Sequence, residues 1–302
     1  MSSTQWSLIG EGKIFIGLRS GGKMRHVGQV KEFKLEVSEE TKELKNYEGG
    51  GGLADSVSFI SKVEASFTFA SLSTKNLAMA LRGVDAPVTS TVVANQAQTA
   101  YAGGFVPLDG IGPTSVAVSV APNAWQATTV YSIGALVKPS VGTHFYRCKS
   151  AGTTGAAEPT WKTDGTDTTD GTIIWQDMGT MALAAGEFEI NSAGIYIPEG
   201  SAKISATGTP IQVSYTTTAG VSIQTLVSAG DEYRIIFAGT NFARAGKPLS
   251  VEMHRVKFSP PKDLSFIGDD FASLTLTGTV LKDDTRTGVD ISAFCAIKMV
   301  EE

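Results

Sequence analysis

Two of the four tryptophans in this 302-residue chain fall close together, in EPTWKTDGTDTTDGTIIWQDMG (158–179). Trp161 and Trp175 stand on either side of a run of Asp, Gly and Thr. Sugar rings present apolar C–H faces that stack on such aromatics, and their hydroxyls need polar partners nearby. Trp125 and Tyr131, a short way upstream, complete the set of candidate glycan-stacking residues. The competing role is structural, because a segment this small has little interior and large aromatics fill it well. By that reasoning Trp125 and Trp175 are expected in a core, while Trp161 and Tyr131 divide evenly between the two roles.

Other chemistry is sparse. His26, His144 and His254 lie far apart, with no HExxH or similar spacing. No GxSxG elbow and no Walker loop occurs, since GEGK at 10–13 is too short and lacks the Ser or Thr. DGTDTTDG (164–171) has Asp at every third position, whereas a calcium loop alternates them, so an exposed turn is the favoured reading. Cys148 and Cys295 form no CxxC pair, which gives poor support to a zinc site or a disulfide framework. Cys295 sits in an apolar run and reads as a small core residue. The expectation is no enzyme, no metal and no cofactor.

The elements that must position these residues read as strands. Gly is abundant at 33 residues, 42% of residues are hydrophobic and 18% charged, which suits a globular β protein. The net charge of −5 comes without a basic cluster able to grip phosphates. MSSTQWSLIGEGKIF lacks the pattern of a signal peptide, and no apolar run approaches the ~20 residues that cross a bilayer. Folding in a cytosol, without disulfides, is the expectation.

Alternating apolar residues mark GKIFIGL (12–18), VGQVKEFKLEVS (27–38, with Val30, Phe33, Leu35 and Val37) and VSFISKVEASFTFASL (57–72, with Val63, Ala65, Phe67 and Phe69). The stretch 38–56 between the last two is charged and ends in four glycines. It reads as a long mobile loop that a partner orders, with Glu39, Glu40, Lys42, Glu43, Lys45, Tyr47, Gly49, Gly50, Gly51 and Gly52 as the assembly residues. SLSTKNLAMALRG (71–83) predicts a helix of about three turns, capped by Ser71 or Ser73 and closed by Gly83. Strand patterns return over 84–123 and again over 180–302. The tryptophan-rich 124–179 therefore reads as a small all-β domain inserted into a discontinuous β domain of residues 1–123 and 180–302.

The string GEGKIFIG, VGQVKEFKLEVSEETKELKNYEGG, a strand, then STKNLAMALRG resembles the major tail tube proteins of long-tailed bacteriophages, over roughly residues 6–83. The strand pattern of 181–302 and its LTGTVLKDD segment extend the likeness. The resemblance implies a mainly β fold, a β-sandwich or barrel with one short flanking helix. It also implies hexameric rings that stack into a tail tube, the conduit for DNA ejection. Partners would be other copies of the chain, a tape measure protein and a tail terminator, with DNA passing through the lumen unbound. The place would be the virion tail, assembled in the host cytoplasm. A mildly acidic lumen would let DNA slide, and the insert (four basic, five acidic residues) and the remainder are both slightly acidic.

The insert carries a likeness of its own. Trp125, Tyr131, Gly134, Val137, the strand Tyr146–Arg147–Cys148, Pro159–Thr160–Trp161, Asp170–Gly171 and Trp175 form a pattern similar to the small carbohydrate-binding modules of chitinases. That implies an outward-facing decoration on the tube, with weak affinity for host-surface glycans. The alternative, from another class, is a stand-alone glycan-binding adhesin in which the β domain is only a scaffold.

Overall fold

The computed structural model describes residues 7–300. The protein is mainly β, with Thr74–Ala80 the one α-helix among the described residues. Its chain divides into two compact units, one holding everything up to Ala86 together with Val221 onward, the other Pro87–Gly220. Residues 87–123 and 180–220 thus group with the tryptophan-rich segment, a wider second unit than the 124–179 expected from the sequence. Alternation reports that a strand is half-buried but not which core it faces, and the strand patterns of the two units are alike.

In the first unit the sheet runs Arg25–His26, Gly10–Leu18, Glu232–Asn241, Lys247–Phe258, Leu274–Val280, Leu53–Phe69, Val30–Lys45, and Cys295–Met299 also pairs with Lys247–Phe258. The expected inward face of Val63, Ala65, Phe67 and Phe69 is buried, against Ile14, Ile16, Met253, Val256 and Leu276. Phe67 lies at its centre, with Phe33 stacked at 4.9 Å and Phe258 edge-on at 5.7 Å between ring centroids. Each such side chain withdrawn from water contributes about 1.5–3 kcal/mol, so this alternating face is what orders the sheet.

The helix is shorter than expected. Ser73 caps it by accepting from the Asn76 amide at 3.3 Å, and Leu81 is the C-cap. Arg82 takes the left-handed conformation past the C-cap (φ 50°), a place expected for Gly83. Gly83 is needed for another reason, because a Cβ there would collide with the Gln224 carbonyl. Asn76, fully buried, ties the helix to the sheet edge. Its amide donates to the Val27 carbonyl at 2.6 Å, and its oxygen accepts from Arg25 at 2.6 Å.

The sequence expectation of a long loop over 38–56 is overturned. Glu39 to Lys45 continue the strand Val30–Lys45 and pair with Leu53 to Ile60 of the strand Leu53–Phe69, with one register shift between Leu44 and Lys45. Only 46–52 forms the connecting turn. There Gly49, Gly50, Gly51 and Gly52 all have φ between 72° and 104°, conformations that glycine adopts without steric cost. The strand Leu274–Val280 supports the hairpin only between Glu64 and Phe69, so beyond that point it continues as a two-stranded arm.

Charged side chains fasten the C-terminal part of this unit. Asp283 accepts from Arg19 at 2.8 Å and from the Thr285 hydroxyl at 2.7 Å, and these bonds hold its carboxyl well below the usual range. Glu232 meets Arg255 through both oxygens, at 2.6 and 2.9 Å, which lowers its pKa. Glu252 bonds Arg234 at 2.9 Å and Arg286 at 3.3 Å. Its burial works against ionisation, but these guanidinium groups outweigh it and the pKa is lowered.

The second unit holds two cores. Two three-stranded sheets, one of Val92–Ala100, Thr209–Thr216 and Thr114–Val120, the other of Glu189–Asn191, Gly194–Tyr196 and Phe105–Pro107, enclose Val106, Val118, Ile195, Ile211, Val213 and Tyr215. A five-stranded sheet (Thr168–Asp170, Ile173–Thr180, His144–Ser150, Leu136–Lys138 and Asn123–Ala124) carries the separate core of Val137, Tyr146, Cys148, Ile173 and Trp175. All members of that core come from 124–179. Phe145, on the opposite face of its strand from Tyr146, joins the neighbouring core instead and seats the module on its sandwich.

Candidate functional site

The aromatics of 124–179 converge, as the sequence suggested, yet they are not equivalent. Trp175 is wholly buried, with Tyr131 edge-on at 5.2 Å and Trp161 at 6.1 Å between ring centroids. It has no face to offer a sugar and leaves the candidate stacking set. Trp125, Tyr131 and Trp161 are half-buried around it. Trp161 lies 4.2 Å from the buried ring of Tyr146, tilted by 30°. The Tyr146 hydroxyl donates to the Lys162 carbonyl at 3.0 Å, and burial, helped by the Asp177 charge, pushes its pKa up to about 12.

Sequence reasoning included Asp170 in the module's pattern but missed that it organises this cluster. Asp170 is buried, and its Oδ2 accepts from the indole nitrogens of Trp125 at 2.8 Å and Trp175 at 3.1 Å. Its Oδ1 accepts from the Gly155 amide at 2.8 Å. Three donors on one carboxylate meet the demand that a buried charge be fully hydrogen-bonded. The signal was the Thr-Thr-Asp-Gly turn just before Trp175, which returns the chain so that Asp170 pairs with Ile173.

The three Asp of DGTDTTDG therefore have separate duties. Asp164 accepts from the amide and hydroxyl of Thr166, and Asp167 pairs with Lys149 at 2.7 Å. Among the described residues no cluster of His, Cys, Asp and Glu is arranged to hold a metal. Glu158 accepts from Trp161 Nε1 at 2.8 Å and from the amide and hydroxyl of Ser140 at 2.8 and 2.6 Å. Burial opposes its ionisation, but these donors prevail and its pKa is lowered. Trp161 is thus held by a fixed carboxylate on one side and by Tyr146 on the other, an oriented aromatic beside polar groups.

The second candidate surface is the two-stranded arm. Cross-strand partners share a face, so Glu40, Lys42 and Leu44 lie with Phe59, Val57 and Asp55, and Glu39, Thr41 and Glu43 with Ile60, Ser58 and Ser56. The Thr41 and Ser58 hydroxyls meet at 2.8 Å, and Lys42 Nζ stands 5.7 Å from the centre of the Phe59 ring. Val57, Phe59, Ile60, Leu44 and Leu53 are all exposed, as are Lys45 and Tyr47, the latter by 85%. The arm residues named from the sequence do fall together, on a hairpin and not on a loop.

The sequence matches, over residues 7–141 and 150–298, the model of a family described as protein of unknown function UCP028589. The chain belongs to that family. Its pattern includes both compact units, and the only internal break, 142–149, covers a turn and most of the strand His144–Ser150. No curated protein matches the chain.

Proposed function

We propose that this member of the family is a structural protein that assembles with its own copies into stacked, hexameric rings, forming the tail tube of a long-tailed phage. The observation that carries the proposal is the arm. A two-stranded hairpin is marginal alone, and this one displays Leu44, Leu53, Val57, Phe59 and Ile60 to solvent. Glu39–Lys45 alone spans about 23 Å at roughly 3.3 Å per residue, long enough to lie across a neighbouring copy. Exposed strand edges and apolar arms aggregate unless a defined partner covers them, and closed symmetry supplies one. Likeness in the order of elements to tail tube proteins supports the choice of a tube, as does the acidic balance that lets DNA pass. The 124–179 module adds weak glycan attachment through Trp161, Tyr131 and Trp125, made useful by many copies.

Electron microscopy of the concentrated protein at neutral pH tests this. Rings or hollow tubes of uniform width are expected. A protein that stays dispersed at every concentration, also when offered preformed tail-tip complexes as initiators, would overturn the tube and favour the adhesin.

A further inference from the structure

Two apolar features of the first unit lie outside everything above. One is the connection between the strands Lys247–Phe258 and Leu274–Val280. Leu264 anchors it to the core, and beyond that Phe266, Ile267 and Phe271 are 86%, 94% and 94% exposed. Three large side chains so bare on one short connection form more than the scattered exposure of an ordinary surface. The other is a groove of about 970 Å³ between the strands Gly10–Leu18 and Val30–Lys45, lined by Ile14, Phe33, Leu35, Phe237, Leu249 and Val251 among others.

The groove is built to take a chain segment. Gly10–Leu18 is paired on its far side with Glu232–Asn241, and on its near side, among the described residues, only Phe15 and Ile16 have strand partners. Among the described residues Val30–Lys45 pairs with Leu53–Phe69 alone. Both walls therefore present free backbone groups, the arrangement that recognises extended peptide by adding a strand. Gly12 and Gly239 stand opposite each other near one wall, with the Phe237 ring packed over the place where their side chains would be, so no side chain from that pair fills the groove.

Charge says which segment fits. Lys13 and Lys31 line the groove, and among the described residues neither has an ion-pair partner. Of the acids beside them Glu32 is engaged by Lys34 at 2.8 Å, leaving Glu11. The exposed connection reads Phe266-Ile267-Gly268-Asp269-Asp270-Phe271, with two carboxylates between the apolar side chains, neither of which has an ion-pair partner among the described residues. The exposure of those side chains means that the tip does not occupy the groove of its own chain. Two phenylalanines alone would bury about 300–500 Å².

We infer that the tip Phe266–Phe271 of one copy docks in the groove between Gly10–Leu18 and Val30–Lys45 of the next. Because tip and groove are different surfaces of one chain, the contact is head-to-tail and repeats until a ring closes or a filament grows. This rests on the self-assembly proposed above and names a contact within it, separate from the arm.

The test uses two full-length variants, a tip-defective F266S/F271S and a groove-defective K13E/K31E. All substituted side chains are exposed, so each should fold and melt like the parent. Sedimentation velocity is expected to show each alone needing roughly tenfold more protein to assemble, the effect of losing a central anchor. Mixed in equal amounts they should form one-to-one dimers that do not grow, since only one competent tip and one competent groove remain. Failure of the mixture to dimerise overturns the inference, as does assembly of F266S/F271S at the parent's concentration. In that second case the parent's own assembly keeps the tube proposal standing. A parent that never assembles sinks both.

Discussion

The carboxylate of Asp170 reaches the indole of Trp125 at 2.8 Å across forty-five positions of sequence, and closes the module on itself. Replacing Asp170 by Ala strands two indole N–H groups and the Gly155 amide. Bonds to a charged acceptor contribute about 1.5–3 kcal/mol each, so the variant should lose about 3 kcal/mol or more. Urea unfolding followed by tryptophan fluorescence would measure it. Asp170→Asn, which keeps one acceptor oxygen, should fall between the two; an Ala variant as stable as the parent would deny the carboxylate this role.

Trp161 allows the proposed glycan binding to be tested apart from folding. Its contact with Tyr146 contributes about 1 kcal/mol and its bond to the Glu158 carboxylate about 1.5–3 kcal/mol, so Trp161→Ala should lose a few kcal/mol, to be measured beside binding under conditions where the variant is folded. Binding to immobilised chitin-type oligosaccharides should vanish in the same variant. Retained binding would place the sugar elsewhere or remove it from the function.

Val57 and Phe59 are exposed and share one face of the arm. The double variant V57S/F59S should leave the melting temperature within a few degrees of the parent, because surface changes typically stay within about 0.5 kcal/mol. Rings and tubes should be absent from micrographs of this variant. Normal tubes would show that the arm is not an assembly surface.

Acid should loosen the segment Leu281–Phe294 before the rest of its unit. Asp283, Glu232 and Glu252 all have folded pKa values below their ordinary ones, through Arg19, Arg255 and Arg234 respectively. A group with a lowered folded pKa adds stability above its unfolded value, about 3.9 for Asp and 4.3 for Glu, and loses it as pH falls through the folded value. Protection factors at 281–294, exchange corrected for its intrinsic pH dependence, should therefore be unchanged from neutral pH down to about 4 and fall steeply below it. Asp283→Asn should raise exchange there already at neutral pH. A flat profile down to about pH 2 would exclude these carboxylates as the fastening.

Much of this was legible in the residues. Val63, Ala65, Phe67 and Phe69 alternate because one face of their strand is buried, and that pattern survives in any sheet they join. The arm was illegible for the complementary reason. SEETKELK has polar and charged residues on both faces, so no period betrays the strand, which is specified by its partner across the hairpin. Boundaries at 86 and 220 left no trace either, since local alternation does not encode which core a strand faces. The burial of Trp175 was anticipated from the small size of its module, whereas the role of Asp170 depends on indoles brought together from distant positions.

The division at Ala86 and Val221 also sets a timetable. Chains emerge from the ribosome amino end first, and domains fold as they become complete. Pro87–Gly220 is continuous and can finish while synthesis is still under way. The strand Gly10–Leu18 must wait for Glu232–Asn241, its long-range partner, and until then the nascent chain carries the hairpin without its supporting strand Leu274–Val280. The sheet of the first unit is thus withheld until the last quarter of the message has been read, while the second unit already stands complete.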